Sequence, residues 1–465
     1  MYTSLPLDEQ LMAQWLGANW SIPLSGLPCD ATGQTLLPLQ FDSRELKPGQ
    51  IFWALKGEKF DAHSFVGQAC QQGACGAVID STYTGDLPLS FPVLRVSDTY
   101  VALSALAHNW ALTQPARRLA LTGSNGKTTT KEMLRPILGT DGPVLATEKN
   151  DNNQFGVPFT LLRLRSEHKY AVIEIGTSGP GEIAPLAKMV QPDLALITLV
   201  GPSHLEGLGT LEDVYTEKTS IAQGLADDGI LIINGEDQLL SRLLEQSLRF
   251  KLKSVGLKKG WLHPEKIEWN NEGQAKFFLH GQNYTLGVPG EHNVRNALLA
   301  IAAGLEWDLS PVQIAQGLHS FTGIQGRMSS LRAGSIEYIN DAYNANPVSM
   351  SAALEVLSRK VTLSGRHLAF GDMLELGPRS ADYHAELGKK IAHLGVQSFG
   401  AFGPQMRFAV DAAIAEGLPS AHVFHSEDHA DLASWLAPRI KPAQVLLVKG
   451  SRGMRMEKVL EKLCP

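Results

Sequence analysis

Apolar residues along the chain fall into short continuous runs separated by segments with the three- to four-residue spacing of a helix face. From about residue 117 the rhythm is strand, loop, helix, repeated. LALTG leads through a Gly-rich turn into TTTKEMLRPIL, and YAVIEIG (170–176), DLALITLV (193–200) and GILIING (229–235) follow. Near-continuous apolar runs of strand length suit parallel strands covered on both faces. A more polar insert, KFFLHGQNYTLGVPG (276–290), predicts a hairpin, and EHNVRNALLAIAAG behind it predicts a helix.

After about residue 320 a second alternating block begins. SIEYIND, HLAFGD, SFGAFG, HVFHS and VLLVKGS alternate with helix-like segments such as MSAALEVL and HAELGKKIAHL, which predicts a second parallel α/β domain. The N-terminal stretch has a different texture: strand-like IFWAL (51–55) and GAVID (76–80) flank the helical FVGQACQQG, among many prolines and glycines, and YVALSALAHNWALT then leads onward as a helix. The expected fold class is therefore α/β with three domains, over residues 1–97, 98–318 and 319–465.

Composition narrows the function. The 465 residues exceed one ordinary core. A formal charge of −6 argues against a broad nucleic-acid surface, and no apolar run approaches the ~20 residues that span a bilayer. Cys29, Cys70, Cys75 and Cys464 show no paired metal-site spacing and read as reduced thiols. The start, MYTSLPLDEQLMAQWL, lacks a basic leader region, so the expected location is the cytoplasm.

The most informative segment is LALTGSNGKTTTK. An apolar strand runs into Gly123, Ser124, Asn125, Gly126, Lys127, Thr128 and Thr129, and a helix follows. Glycines let such a turn aim several N–H groups at one anion, and the helix N-terminus adds positive charge. Lys127 is placed to reach outer phosphates and the Thr128 hydroxyl to bind Mg²⁺. The strict phosphate-loop pattern wants a glycine where Leu121 stands, so this loop is a variant. Glu174 ends the strand in AVIEIG, and His204 and Glu206 follow the next apolar run. Ligands of such sheets bind beyond the carboxyl ends of the strands, so Thr128, Glu174 and His204 are candidate metal ligands.

TGSNGKTTT, EIGTSGPGEI, GPSHLEGLG, PGEHNVRNALLA, GRM, NDAYNANPVSMSAAL, FGDMLELG and LLVKGSRGMRMEKV follow in one order across nearly the whole chain. The series resembles the Mur ligases, and NDAYNANP and GDMLELG resemble the branch that adds D-alanyl-D-alanine to UDP-N-acetylmuramoyl-tripeptide through an acyl phosphate. The resemblance implies a small α/β module for the UDP substrate, a central parallel-sheet ATPase domain with the phosphate loop, and a C-terminal Rossmann-like domain. It also implies ATP and Mg²⁺, a monomer, and no nucleic-acid partner.

By the same resemblance, Ser43, Arg44, Asp61 and His63 belong to the UDP-substrate module, and Thr147, Asn152 and Asn153 to a loop on the muramoyl-peptide side. His292, Asn293 and Asn296 match the adenine side. Arg327 matches an arginine facing the γ-phosphate, and Asp341 a ribose contact. Tyr343, Asn344 and Asn346 are implied as dipeptide or hinge contacts, with a turn before Pro347 as the alternative for Asn346. Lys449, Ser451 and Arg452 are implied near the dipeptide carboxylate. Lys218 matches a lysine carbamylated in several members; the alternative is a surface helix lysine. Lys127, Glu174, His204, Lys218 and Arg327 form the implied catalytic set. Leu199 stands where members commonly carry asparagine, and Glu217, Lys218 and Thr219 replace commoner neighbours.

Three other functions remain to be weighed. A ligase adding a single amino acid, or a folylpolyglutamate synthetase, would share the phosphate loop; no DNPR, the usual mark of diaminopimelate adders, occurs. An ATP-dependent switch would form no bond. A dinucleotide dehydrogenase is disfavoured because the lysine and threonine of GSNGKT suit a triphosphate and metal.

Overall fold

The computed structural model describes residues 2–57, 60–360 and 365–464. By internal contacts the chain divides into two compact units: Met1–Arg117 with Thr147–Ala171 and Met189–Gln191, and Arg118–Ala146 with Val172–Lys188 and Pro192–Pro465.

The first unit carries a five-stranded sheet in sequence order. Tyr2–Leu5 runs antiparallel to Leu37–Gln40; Ile51–Trp53, Gly76–Asp80 and Val93–Val96 continue in parallel. The expected strands IFWAL and GAVID are both present. The strands before residue 40 and the Glu9–Trp15 helix were not anticipated, because that stretch has few periodic apolar positions. The helix Thr99–Thr113 starts at Asp98, whose carboxylate accepts the Val101 N–H. Two buried indoles tie this unit together: Trp53 Nε1 donates to the Thr99 carbonyl at 3.0 Å and Trp110 Nε1 to the Leu164 carbonyl at 3.1 Å.

The second unit holds three sheets. The first has six strands, in the order Lys251–Val255, Ile230–Asn234, Leu194–Ile197, Arg117–Thr122, Tyr170–Glu174 and Val144–Ala146. The first four run parallel; Leu194–Ile197 and residues 119–122 are wholly buried and Ile230–Asn234 nearly so, as the unbroken apolar runs predict, whereas the polar Lys251–Val255 strand is buried only at its end. The second is a three-stranded antiparallel sheet, Lys266–Trp269, Gln274–Leu279 and Gln282–Pro289. Its expected hairpin turns at His280 and Gly281, both with positive φ (48° and 76°), the backbone of a two-residue type I′ turn. The half-exposed Lys266–Trp269 strand escaped the pattern.

The third sheet has the order Ser329–Ala333, Ile336–Asp341, Val445–Lys449, Arg366–Gly371, Ser398–Phe402 and Val423–Ser426. Only the first pair is antiparallel. Both faces are buried: Leu368, Phe370, Val445 and Leu447 enter one core, while Ala369, Leu446 and Val448 enter another. Side chains alternate across a strand, so two-sided burial demands an apolar residue at every position. Each fully buried Leu or Phe contributes about 1.5–3 kcal/mol.

Two histidines of this domain are buried. His384 Nε2 accepts the Met373 N–H while Nδ1 donates to the Ser380 carbonyl. His367 sits between Ser398 Oγ and Gln444 Oε1. Burial lowers the pKa of both. The unfolded chain therefore takes up protons below its ordinary histidine pKa of about 6.5 that the folded chain refuses. Stability is thus expected to fall as pH drops from 7 to 5. Melting temperatures across that range check this; a flat or rising profile contradicts it.

Candidate active site

The strand Arg117–Thr122 delivers the chain to a turn that only glycine can make. Gly123 has φ 147°, and a Cβ there would stand 1.9 Å from Thr198 Oγ1. Gly126 has φ 85°, and its Cβ would meet Asn296 Oδ1 at 2.4 Å. Helix Lys127–Gly139 starts immediately after, which leaves its first N–H groups and its positive dipole end beside the turn. The turn is pinned from behind. Ser124 Oγ donates to the Gly201 carbonyl at 2.8 Å and accepts the Gly201 N–H at 3.0 Å. The Ser124 N–H donates to the Leu199 carbonyl at 2.9 Å, and the Thr198 hydroxyl donates to the Asn125 carbonyl. Leu199 thus serves the loop through its backbone, so the departure from asparagine leaves this contact intact.

Four predicted residues meet at the start of the helix. Thr128 Oγ1 lies 3.3 Å from Glu174 Oε1, and an Arg327 NH2 donates to the same hydroxyl at 3.0 Å. Lys127 Nζ bends back to the Gly123 carbonyl at 2.7 Å. Burial lowers the Lys127 pKa, Glu174 opposes the shift and Arg327 adds to it. Glu174 is almost fully buried, with the Lys131 ammonium 3.8 Å from Oε2. Lys131 itself is buried and also pairs with Glu132. A carboxylate and a hydroxyl presented side by side are hard oxygen donors of the kind Mg²⁺ prefers, and such sites draw their remaining ligands from phosphate and water. Among the described residues no group of three or more His, Cys, Asp or Glu forms a self-sufficient metal cage.

His204 has a left-handed backbone, φ 53°. Its Nδ1 lies 2.5 Å from Glu375 Oε2; Glu375 is also left-handed, φ 61°, and its carbonyl accepts the Glu206 N–H. The hydrogen bond to His204 holds the Glu375 carboxyl below its usual pKa. Lys218 is fully buried on helix Leu211–Thr219, not on its surface. Its Nζ has no hydrogen-bond partner among the described residues. Burial, then the nearby Lys127 charge, push its pKa well below the ordinary lysine value. The adjacent Glu217 accepts the N–H groups of Gly181, Glu182 and Ile183 at 2.7–3.0 Å, and so caps the Ile183–Val190 helix from a distance.

On helix Glu291–Glu306, Asn293 and Asn296 are buried; Asn293 Nδ2 donates to the Pro289 carbonyl and Asn296 closes over Gly126. Burial pushes the His292 pKa down to about 4. Asp341 and Lys449 end neighbouring strands as register partners. They form a buried pair at 2.6 Å, and Lys449 Nζ also donates to the Asn344 carbonyl. Lys449 is thus engaged with Asp341 and the segment that follows it. Ser451 Oγ accepts the Leu374 N–H and donates to the Ala345 carbonyl; Arg452 is exposed and pairs with Glu457. Asn344 Oδ1 accepts the Ala345 N–H, and the Tyr343 ring lies under Arg327. Asn346 is the N-cap of helix Pro347–Arg359, in a capping box with Ser349. It is also tied to the loop: Asn125 and Asn346 exchange side-chain hydrogen bonds at 2.8 and 3.0 Å.

In the first unit, Ser43 opens a short 3-10 turn and Arg44 forks onto Asp42 at 2.6 and 2.9 Å while remaining exposed. Asp61 accepts the His63 N–H and lies 2.7 Å from His63 Nδ1; His63 Nε2 accepts the Asp80 N–H. His63 is buried, and its ring links Asp61 to the Asp80 backbone. Thr147 is buried. Asn152 sits partly buried in the following loop, and Asn153 Oδ1 caps the Gly156–Leu161 helix through the Phe155 and Gly156 N–H groups.

Residues 121–304 match the model of the Mur ligase middle domain, and residues 326–452 match that of the Mur ligase, glutamate ligase domain. The UDP-N-acetylmuramoyl-tripeptide–D-alanyl-D-alanine ligase of Bacillus subtilis (strain 168) is 35% identical over 425 residues, covering 91% of this chain and 92% of the relative. The chain belongs to the Mur ligase family. This Mur ligase shares its three-domain α/β architecture with MurF of Acinetobacter baumannii (TM-score 0.88, 32% identity, 99% of each chain). It also superposes on MurF of Thermotoga maritima in complex with ADP (TM-score 0.80, 27% identity, 91% of this chain and 96% of that one).

Two residues of this Mur ligase went unassigned from sequence. Glu375 lies inside FGDMLELG, and only the fold brings it to His204. Lys131 sits one helical turn beyond Lys127, spacing that puts both on one face, but its burial beside Glu174 was not legible. For Asn346→Ala, loss of the cap is expected to cost about 1–2 kcal/mol of stability, whereas Asn346→Asp keeps the cap and should recover most of it. Denaturant melts check both; equal losses would place the stability elsewhere.

Proposed function

We propose that this chain uses ATP to join D-alanyl-D-alanine to UDP-N-acetylmuramoyl-tripeptide, forming an amide in peptidoglycan precursor synthesis. The observation that carries the reading is the meeting of Lys127, Thr128, Glu174 and Arg327 at a glycine turn and helix N-terminus, in a chain 35% identical to a ligase of that name. The reaction is placed in the cytoplasm, where ATP is available, and no helix of the described residues is long and apolar enough to cross a membrane.

A carboxylate does not react with an amine at neutral pH, because its oxygen is a poor leaving group. Transfer of the γ-phosphoryl group to the tripeptide carboxylate gives an acyl phosphate, and attack by the dipeptide amine then expels phosphate. The helix N-terminus and Lys127 hold the phosphates, and Arg327 stabilises charge on the transferring group. Thr128 and Glu174, with His204 through Nε2, are the groups that would hold Mg²⁺, which supplies Lewis-acid stabilisation of phosphoryl oxygens when bound. His292, Asn293 and Asn296 lie on the adenine side and Asp341 on the ribose side, while Ser43, Arg44, Thr147, Asn152 and Asn153 serve the UDP-peptide. Lys218, buried and held toward its neutral form, is the amine that can add CO₂ and release a proton, giving a carbamate anion.

The deciding experiment incubates the chain with ATP, Mg²⁺, UDP-muramoyl-tripeptide and D-alanyl-D-alanine and weighs the product, with single amino acids as parallel arms. A dipeptide adduct is expected; an adduct with a single amino acid alone, or ATP hydrolysis with no new amide, rejects the reading. Lys127→Ala is expected to abolish product while the melting curve keeps its cooperative form, and unchanged turnover would remove Lys127 from phosphate binding. Arg327→Ala is expected to lower turnover far more than UDP-substrate affinity, as for a residue acting in the transition state; the reverse ratio would move it to substrate binding.

A further inference from the structure

Arg327 reaches Thr128 from a tight turn, in which the Arg327 N–H donates to the Ile324 carbonyl at 3.1 Å and the Gly326 N–H to Ser329 Oγ at 3.1 Å. Gly326 and Met328, on either side of it, both have positive φ, 77° and 53°, and the latter is a conformation that L side chains rarely adopt. The turn is also held from the end of the Ile336–Asp341 strand and the residues just after it. The Tyr343 N–H donates to the Gly326 carbonyl at 3.1 Å, and the Met328 N–H donates to Asp341 Oδ1 at 3.0 Å. Between these two anchors the guanidinium carbon of Arg327 lies 4.0 Å from the centre of the Tyr343 ring. A guanidinium resting on a ring face keeps its edge N–H groups available; here one of them donates to Thr128 Oγ1 at 3.0 Å.

We propose that Tyr343 is a positioning residue that works through its ring: it is the platform that aims the Arg327 guanidinium at the phosphate-loop threonine, and it does not bind the dipeptide through its hydroxyl. NDAYNANP then performs two mechanical tasks. Asp341 and Tyr343 build the arginine's turn and stack its side chain, while Asn346 ties the following helix to Asn125 of the loop. Aiming the arginine is useful only because Arg327 faces the transferring phosphoryl group, so the proposal rests on the function given above.

The test compares Tyr343→Phe, which keeps the ring, with Tyr343→Leu and Tyr343→Met, which remove it. Each is made in the full chain and again on an Arg327→Ala background. Melting curves are recorded for all, so that whichever ring-free variant folds supplies the comparison. Loss of the ring is expected to lower turnover roughly ten- to thirtyfold, the scale of a desolvated cation–ring contact. KM for D-alanyl-D-alanine should stay within about threefold on the same grounds, since the ring acts on turnover through the arginine. Tyr343→Phe should restore turnover, and ring removal should add almost nothing once Arg327 is gone. Equal loss in Phe and Leu, a raised KM for the dipeptide at unchanged turnover, or a full additional loss on the Arg327→Ala background each overturn the proposal. Affinity for a non-hydrolysable ATP analogue is measured in parallel and expected to weaken with Leu or Met but not Phe. That arm separates the two ideas: a parent chain that makes no dipeptide adduct refutes the function, whereas equal analogue affinity in Phe and the ring-free variants refutes the platform.

Discussion

The turn between the Arg117–Thr122 strand and the Lys127–Gly139 helix must present N–H groups outward while its own carbonyls and hydroxyls are satisfied inward. That constraint sets much of what surrounds it. Two backbone positions are so closely approached, by Thr198 and by Asn296, that any side chain would collide. The inward groups are met from the neighbouring strand: Ser124 trades hydrogen bonds with Gly201, and Thr198 reaches the Asn125 carbonyl. A loop satisfied in this way is preorganised, so little rearrangement is required when charge develops beside it.

Three tethers connect this turn and its neighbours to the sequence beyond residue 325. Arg327 reaches Thr128, Asn346 pairs with Asn125, and Glu375 meets His204. Each ends on a residue whose own geometry is fixed: an arginine stacked on tyrosine, an asparagine locked as a helix cap, and a glutamate on a left-handed backbone. Polar tethers of this type are directional and lose their value within a fraction of an ångström. They therefore hold the phosphate loop in one geometry, where apolar contact alone would tolerate sliding.

Buried charge is treated in two ways. Asp341 with Lys449, and Glu337 with Lys360, are paired at 2.6 and 2.7 Å, and such pairs offset the large cost of desolvating each ion. Lys218 is different: it is as deeply buried, without a hydrogen-bond partner among the described residues, and burial and Lys127 both press it toward the neutral amine. Strongly shifted groups of this kind cluster at functional sites.

The sequence by itself determined the local elements wherever burial is two-sided. The runs that became Tyr170–Glu174, Leu194–Ile197, Ile230–Asn234 and Val445–Lys449 are apolar at almost every position because both sheet faces are covered, and the phosphate loop announced itself through GSNGKT between a strand and a helix. The hairpin at His280 and Gly281 was equally legible. Half-exposed strands such as Lys266–Trp269, and the irregular stretch before residue 40, carry too weak a period to be seen. What only the tertiary structure decided is partnership. That Lys449 pairs with Asp341, that His63 lies between Asp61 and the Asp80 backbone, and that Lys218 is a buried lysine and not a surface one depend on which groups long-range packing brings together. A residue's type fixes what it can donate or accept; only the fold fixes to whom, because hydrogen bonds and ion pairs act over distances far shorter than the chain separations they join.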